Sequence, residues 1–220
     1  MRLYLSSDRF GDHFDRLLAL AGQGARVGVI ANAADLIPDA ARENYARKIH
    51  DPIAELRSRG LDAGPLDLRR YFAAPERLAE TLNALDMVWA TGGNAFLLRR
   101  AMRQSGFDRI APDLIRADKL IYGGWSAGAV VAGPNLKGIE LMDAPDQIAE
   151  GYDRDIVWDG LGLIGFHLIP HYESGAADSP AADKVAMYLL DEALPYRTMR
   201  DGDVLIQDAD GIRGYEGTRP

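Results

Sequence analysis

One serine lies in a glycine-rich stretch that is suited to acyl-transfer chemistry. In "YGGWSAGAVVAG", residues 122–133, Ser126 lies between Gly124 and Gly128, directly after an apolar run. A G-x-S-x-G pattern between a strand and a helix is typical of a nucleophile elbow, in which a strained backbone lifts the serine Oγ clear of the sheet. The stretch therefore predicts a nucleophilic serine. The alternative is a structural turn in which Ser126 only caps the following helix.

A second glycine pair, Gly92-Gly93, ends the apolar run "DMVWATGG". If the strands before the two glycine loops are neighbours in a parallel sheet, both loops open at its carboxyl edge, where ligands bind in such folds. The N–H groups of Gly93 and Ala127 would then form a two-donor oxyanion hole. The alternative is a tight turn into a helix capped by Asn94.

A nucleophilic serine needs a base, and the chain has 4 histidines as candidates. His13 and His50 fall on amphipathic helical stretches, and we predict that both lie at the surface or its boundary. His167 lies inside an apolar strand, which is typical of a core histidine. His171 follows Pro170 in "LIPHYES", where a side chain can emerge at a strand end. His171 is therefore the predicted base.

The acid partner of the histidine is not identified by spacing, because the chain has 33 acidic residues. Asp201 and Asp203 lie in the turn "RDGD" after an apolar strand, whereas Glu173 and Asp159 lie nearer to His171 in sequence. All of these carboxylates remain candidates on the residues alone.

Short apolar runs alternate with amphipathic stretches up to Ser126. The predicted strands cover 2–7, 26–33, 61–68, 86–93 and 119–125. The predicted helices cover 12–22, 39–59, 74–85, 95–106 and 108–118. Pro52 is expected to break the second helix, and Pro65 favours an edge position for the third strand. Strand-helix alternation with short connections predicts a largely parallel sheet covered on both faces.

The pattern changes after Ser126. Residues 139–160 are acidic and irregular, 161–172 resemble a strand, and 180–194 form a predicted helix. The last 25 or so residues suggest short antiparallel strands joined by Gly-Asp and Ala-Asp-Gly turns. Without repeats or a linker, residues 1–220 are predicted to form a single α/β domain.

Composition excludes several classes of function. The absence of cysteine rules out disulfides, thiolate metal sites and a cysteine nucleophile, and it favours a reducing cytoplasm. The net charge of −8 and the lack of a basic cluster argue against nucleic-acid partners and anionic membranes. The chain has no apolar run long enough to span a membrane, and its first apolar stretch is too short for a signal peptide.

Cofactor binding is not indicated either. Neither glycine loop has the G-x-G-x-x-G spacing of a nicotinamide site, with an acidic residue about 20 positions on. We therefore expect an enzyme without a cofactor or metal, cytoplasmic, and either a monomer or a homodimer.

Several motifs in this order resemble one known family. The segments "TGGNAFLL", "YGGWSAGA", "IPHYE" and "RDGDVLI", with "RLYLSS" at the start, are similar to the dipeptidase E (aspartyl dipeptidase) family of serine peptidases, which is related to cyanophycinases. The resemblance covers nearly the whole chain. It implies a three-layer α/β sandwich of the class I glutamine-amidotransferase type, hydrolysis of short peptides, a Ser-His-acid triad and no metal.

The resemblance also implies roles for individual residues. Ser126 matches the family's nucleophile and His171 its base, and Gly93 and Ala127 match its oxyanion donors. The family's acid, often a glutamate before a glycine near the C-terminus, corresponds to Asp201, which is one methylene shorter.

Substrate contacts differ from the family pattern. Aspartyl dipeptidases have an arginine after the histidine that pairs with the substrate's aspartyl carboxylate, but "SGAADSPAADKVAMY" has only Lys184. The ammonium group of a lysine cannot form the two parallel hydrogen bonds that an arginine guanidinium makes to a carboxylate. We therefore expect no strict preference for N-terminal aspartate. Asn94, Glu173 and Lys184 are the predicted substrate-binding residues, and Glu150 and Asp178 are further candidates for holding a substrate amine.

Two other functions are compatible with the residues. An esterase of the α/β-hydrolase kind would use Ser126, Asp155 or Asp159, and His171, although the chain lacks a long lid insertion and an HGGG-type loop. A non-catalytic, amidotransferase-like binding protein is the alternative from a different class.

Overall fold

The computed structural model describes residues 1–175, 177 and 179–218. Its strands are β1 Leu3–Ser6, β2 Arg26–Ile30, β3 Asp62–Pro65, β4 Met87–Ala90, β5 Ile121–Trp125, β6 His167–Ile169, β7 Tyr196–Thr198, β8 Val204–Asp208 and β9 Gly211–Tyr215. Its α-helices are α1 Phe14–Ala21, α2 Asp39–Lys48, α3 Pro52–Ser58, α4 Glu76–Asn83, α5 Ala95–Gln104, α6 Phe107–Arg116, α7 Ala127–Val130 and α8 Ser179–Asp191. Short 3-10 helices cover Asn32–Ala34, Leu68–Tyr71 and Ile139–Leu141.

A mostly parallel sheet of seven strands runs through the molecule in the order β3-β2-β4-β5-β1-β8-β9. Strands β3, β2, β4, β5 and β1 are parallel, and β8 and β9 complete the sheet antiparallel. The strand β3, which contains Pro65, lies at the edge, as predicted, because proline cannot donate to a second neighbour. Strands β4 and β5 are neighbours and pair Ala90 with Gly124, so the loops that follow them open side by side.

Apolar side chains cover both faces of the sheet. Alternate strand residues point to opposite sides, so Leu3 and Leu5 belong to one buried cluster and Tyr4 to the other. The first cluster is covered by α5 and α8, and the second by α1 and α3. The predicted three-layer α/β sandwich is confirmed. No helix in the described part of the chain is long and apolar enough to cross a membrane.

The structure corrects several predicted boundaries. The segment 39–59 forms two helices, and Pro52 is the first residue of the second, with the Asp51 carboxylate accepting from the N–H groups of Ile53 and Ala54 at 2.9 and 3.1 Å. The segment 26–33 leaves the sheet after Ile30 and turns into a 3-10 helix.

The predicted strand 161–172 was mostly wrong. Only β6 within it is a strand, and β6 pairs in parallel with β7, not with the antiparallel C-terminal strands. The N–H groups of Leu161 and Leu163 donate instead to Val131 and Ala132 carbonyls beyond α7, at 2.8 and 2.9 Å. These contacts satisfy the backbone of an apolar segment outside any sheet.

Candidate active site

Ser126 occupies a strained bend between β5 and α7. Its backbone has φ 49° and ψ −118°, a conformation that residues with a side chain seldom adopt. Although Ser126 stands at the N-cap position of α7, its side chain forms no capping hydrogen bond. The strained geometry expected of an elbow is therefore present, and the alternative that the hydroxyl only caps the helix is wrong.

The glycines on either side of the bend are required by close backbone packing. A Cβ atom at Gly128 would lie 2.2 Å from the Ala90 carbonyl oxygen, and one at Gly124 would lie 2.9 Å from the same oxygen. Both distances are too short for any side chain. The spacing of the G-x-S-x-G motif thus follows from how the end of β4 packs against the elbow.

The loop after β4 lies directly against the serine. A Cβ atom at Gly92 would lie 3.1 Å from the Ser126 Cβ. Gly93 has φ +135°, and a Cβ there would lie 2.4 Å from the Ala33 carbonyl oxygen, so only glycine fits. Gly93, Ser126 and Ala127 line one cavity of about 100 Å³. The N–H groups of Gly93 and Ala127 donate to no other residue in the described part of the chain, so both are available to a ligand.

His171 and Asp201 form a hydrogen-bonded pair. The imidazole Nδ1 lies 2.8 Å from the Asp201 Oδ1. His171 is 8% exposed and has φ 59°, again a left-handed backbone in a residue with a side chain. Pro170, the preceding residue, lines the Ser126 cavity. The N–H groups of Ser126 and His171 both donate to Ser7, at 3.1 and 2.8 Å.

Hydrogen bonds favour the ionised form of Asp201. Burial raises the pKa of the Asp201 carboxyl, but hydrogen bonds from His171, Ser7 and Ser174 lower it by more, and the pKa lies below its ordinary value. The Ser7 hydroxyl donates to Asp201 Oδ1 at 3.0 Å. A carboxylate that stays ionised can stabilise a protonated imidazole beside it.

The described hydrogen bonds of the other candidate acids are with other groups. Asp203 accepts from the Arg200 and Gly217 N–H groups at 2.8 and 2.7 Å and so holds its turn together. The backbone carbonyls of Asp155 and Asp159 accept from buried arginine side chains at 3.0 and 2.7 Å. Asp201 is the carboxylate that the structure places on the His171 ring.

The other histidines have structural surroundings. His167 is 3% exposed and its ring nitrogens contact the Pro195 carbonyl and the Asn135 side-chain oxygen at 3.2 and 2.9 Å, as expected of a core histidine. His13, as predicted, is partly exposed. His50 was predicted at the surface or its boundary but is only 8% exposed, because Phe10 and Trp125 pack against its ring.

The predicted substrate-binding residues are dispersed. The Asn94 side chain accepts from the Leu97 N–H at 3.0 Å and so caps α5, while its amide donates to the Ala144 carbonyl at 2.9 Å. Glu173 is exposed and ion-paired with Arg200. Lys184 is exposed on α8, and Glu150 is also exposed. Asp178 lies outside the described residues.

Sequence reasoning missed two residues of this site. Asp143 lines the Ser126 cavity together with the apolar residues Val130, Ile139, Met142 and Pro170. The Asp143 carboxylate accepts from the Ala95 N–H at 2.7 Å, at the start of α5. Ser7, at the end of β1, contacts Asp201 and His171. Neither has a distinguishing local motif, since Asp143 is one of many acids in an irregular segment.

Comparisons with known proteins place the chain in context. An uncharacterized peptidase of Listeria innocua is 38% identical over 99 residues, and one of Listeria monocytogenes is 35% identical over 122 residues. These matches cover 45% and 54% of this chain, and the chain spans about half the length of these curated relatives, 45% and 55%. An uncharacterized peptidase of Pasteurella multocida is 29% identical over 172 residues, 78% of this chain and 77% of that protein.

Solved structures share the fold. A Listeria monocytogenes protein that is named as a candidate peptidase E has a TM-score of 0.76 at 24% identity, over 99% of this chain and 98% of that one. A peptidase from an acI-B1 actinobacterium has a TM-score of 0.64 at 17% identity, over 99% and 87% of the two chains. A model described as "Peptidase family S51" matches residues 11–213. Since this match covers nearly the whole chain, the protein belongs to peptidase family S51.

Proposed function

We propose that the chain is a serine peptidase that hydrolyses short peptides with Ser126 as nucleophile, His171 as base and Asp201 as acid. One observation supports the proposal: the His171 imidazole pairs with Asp201 at 2.8 Å, and the N–H groups of His171 and of the strained Ser126 both donate to Ser7. Membership of peptidase family S51 supports the same reaction class.

The proposed reaction runs through an acyl-enzyme. His171 Nε2 takes the Ser126 proton as Oγ bonds to the peptide carbonyl carbon, and the imidazolium is stabilised by Asp201 on Nδ1. The carbonyl oxygen becomes an oxyanion that accepts from the N–H groups of Gly93 and Ala127. The intermediate then expels the amine, which receives the proton from His171. Water, deprotonated by His171, cleaves the ester and releases the acid.

The oxyanion donors supply a large part of the proposed rate enhancement. Removing one donor of this type costs about 3 to 4 kcal/mol of transition-state stabilisation in measured cases. Both donors here are backbone groups fixed by α7 and by the tight fit of Gly93 against Ala33. They are therefore oriented before substrate arrives, which is the condition for that gain.

The cavity walls favour a peptide with a free N-terminus and a small first side chain. About 100 Å³ of space, with the apolar side chains of Val130, Ile139 and Met142 in its walls, accommodates a small neutral side chain. The Asp143 carboxylate in the same wall is suited to an α-ammonium group and opposes a second carboxylate. We therefore propose cleavage after a small neutral N-terminal residue, in preference to N-terminal aspartate.

Hydrolysis of a dipeptide series tests this function. We expect turnover to be highest for substrates with N-terminal alanine or glycine, lower for aspartate, and lost when the amino group is acetylated. Asp143→Asn keeps an oxygen acceptor for the Ala95 N–H but removes the charge. This variant should raise KM about tenfold for peptides with a free amino group. Equal turnover of free and acetylated dipeptides would contradict the exopeptidase proposal.

A further inference from the structure

Ser7 connects the three residues of the proposed triad. It is fully buried and follows β1, the strand between β5 and β8. Its backbone carbonyl accepts from the Ser126 N–H at 3.1 Å. Its hydroxyl oxygen accepts from the His171 N–H at 2.8 Å and lies 3.0 Å from Asp201 Oδ1. One residue therefore touches the nucleophile, the base and the acid, each of which comes from a different part of the chain.

The hydroxyl proton of Ser7 has two possible acceptors. They are the Asp201 carboxylate at 3.0 Å and the Met199 carbonyl at 3.2 Å. A hydroxyl can donate only one proton, and the charged, nearer acceptor forms the stronger bond. The Ser7 hydroxyl therefore donates to Asp201 and at the same time accepts from the backbone of His171.

The bond from the His171 N–H to the Ser7 hydroxyl lies at a strained backbone position. His171 has φ 59°, and a left-handed backbone in a residue with a side chain persists only where its surroundings hold it. The N–H of His171 is fixed by the Ser7 hydroxyl, and its ring by Asp201, which is itself bonded to Ser7. The Ser7 hydroxyl therefore contacts both the backbone of His171 and the carboxylate that bonds the His171 ring.

We infer that Ser7 is a positioning residue, whose hydroxyl aligns Asp201 with His171 and whose carbonyl fixes the backbone of Ser126. The inference rests on the proposed function for its kinetic consequence, but the contacts themselves can be tested without activity. Ser7 does not line the Ser126 cavity, so it acts through the triad and not on the substrate.

Removal of the Ser7 hydroxyl should shift the titration of the pair upward. Asp201 would lose a donor that stabilises its anion, and the more basic carboxylate would hold the imidazolium more strongly. The described charged groups nearby are His171, the Arg200–Glu173 ion pair, and the carboxylates of Asp203 and Asp12. Ser7→Ala changes no charged side chain in this set, so the shift reports the lost hydroxyl.

The experiment is an NMR titration of His171 in isotopically labelled protein, with its signals assigned by loss in His171→Gln. In Ser7→Ala we expect the titration midpoint to rise by about half to one pH unit. We expect kcat/KM to fall about 10- to 100-fold, mostly in kcat, and its acidic limb to move to higher pH. Ser7→Thr, which keeps the hydroxyl, should lie closer to wild type.

Ser105→Ala is the matched control. Ser105 is equally buried, and its hydroxyl likewise donates to a carbonyl, that of Met102 at 3.3 Å, and accepts from the Phe107 N–H at 3.4 Å. If Ser7→Ala has the midpoint and kcat/KM of Ser105→Ala, the inference is overturned. If Ser7→Ala does not fold, Ser7→Cys, a similar shape with a weaker donor, carries the same expectation. A shifted midpoint in a protein with no peptidase activity would retain the inference and reject the proposed function.

Discussion

Ser126 combines an unfavourable backbone with an uncapped side chain, the combination expected of a catalytic serine. A non-glycine residue in such a conformation is destabilising by about 1 to 3 kcal/mol. Ser126→Gly should therefore stabilise the fold or leave its stability unchanged. If the serine had a purely structural role, the same substitution would lower the stability of the fold. Thermal unfolding of this variant measures the difference. A marked fall in Tm would indicate that the hydroxyl serves the fold.

The identity of the acid is a second prediction at this scale. Asp201→Asn should reduce turnover by about 10³- to 10⁴-fold, because the amide no longer stabilises the imidazolium and favours the wrong tautomer. Asp159→Asn serves as control and should leave turnover nearly unchanged, since the Arg99 side chain bonds the Asp159 backbone carbonyl. Steady-state kinetics compare the two. The opposite ranking would support the Ser-acid-His order of an α/β-hydrolase.

The residues that the sequence predicted and those that it missed differ in one physical respect. Ser126, Gly93 and Ala127 belong to local motifs, because a strained turn requires glycines at fixed offsets. Asp143 and Ser7 have common residue types and acquire their surroundings only through tertiary packing. The Asp201–His171 contact is also tertiary, and the resemblance to a known family was needed to choose Asp201 among many acids.

At the scale of elements, the packing of β4 against the elbow sets a strict size limit. A Cβ at Gly128 would lie 2.2 Å from the Ala90 carbonyl oxygen, a backbone atom of the central sheet that cannot easily move. Gly128→Ala should lower the free energy of unfolding by about 1 to 3 kcal/mol and reduce activity by displacing α7. Gly214→Ala, on β9 with nothing within 4 Å of the added Cβ, is the control. Denaturant unfolding measures both, and equal effects would contradict the packing argument.

The elements were predicted well where periodicity alone determines them. The parallel strands and their covering helices follow from short apolar runs and amphipathic stretches, and the edge position of β3 follows from Pro65. The segment 161–172 was misread because an apolar run indicates burial but not a strand partner. Its backbone bonds to the end of α7, a contact between segments about 30 residues apart that no local pattern records.

For the whole molecule, depressed carboxyl pKa values predict the response to acid. Burial raises the pKa of Asp67, but hydrogen bonds from Arg69 and Asn32 lower it by more, and the resulting pKa is about 2. The pKa of Asp201 is also below its ordinary value. Groups whose pKa is lower in the folded state add stability above their unfolded value, which is about 3.9. This stability should be lost as pH falls from about 4 toward 2.

Calorimetry across pH checks this expectation. Tm should change little between about pH 7 and 5 and then fall steeply below about pH 4. Asp67→Asn removes one of these groups and should make the acid slope shallower, because the variant has no such proton to take up. A slope in Asp67→Asn as steep as in the wild type would show that this carboxyl does not contribute.

The most direct test of the account is covalent labelling of the intact protein with a fluorophosphonate, followed by mass spectrometry of its peptides. We expect one adduct, on Ser126, that is abolished in Ser126→Ala and formed far more slowly in His171→Gln. Labelling of another residue, or an unlabelled Ser126 in folded wild-type protein, would contradict the claim that this serine is a nucleophile activated by that histidine.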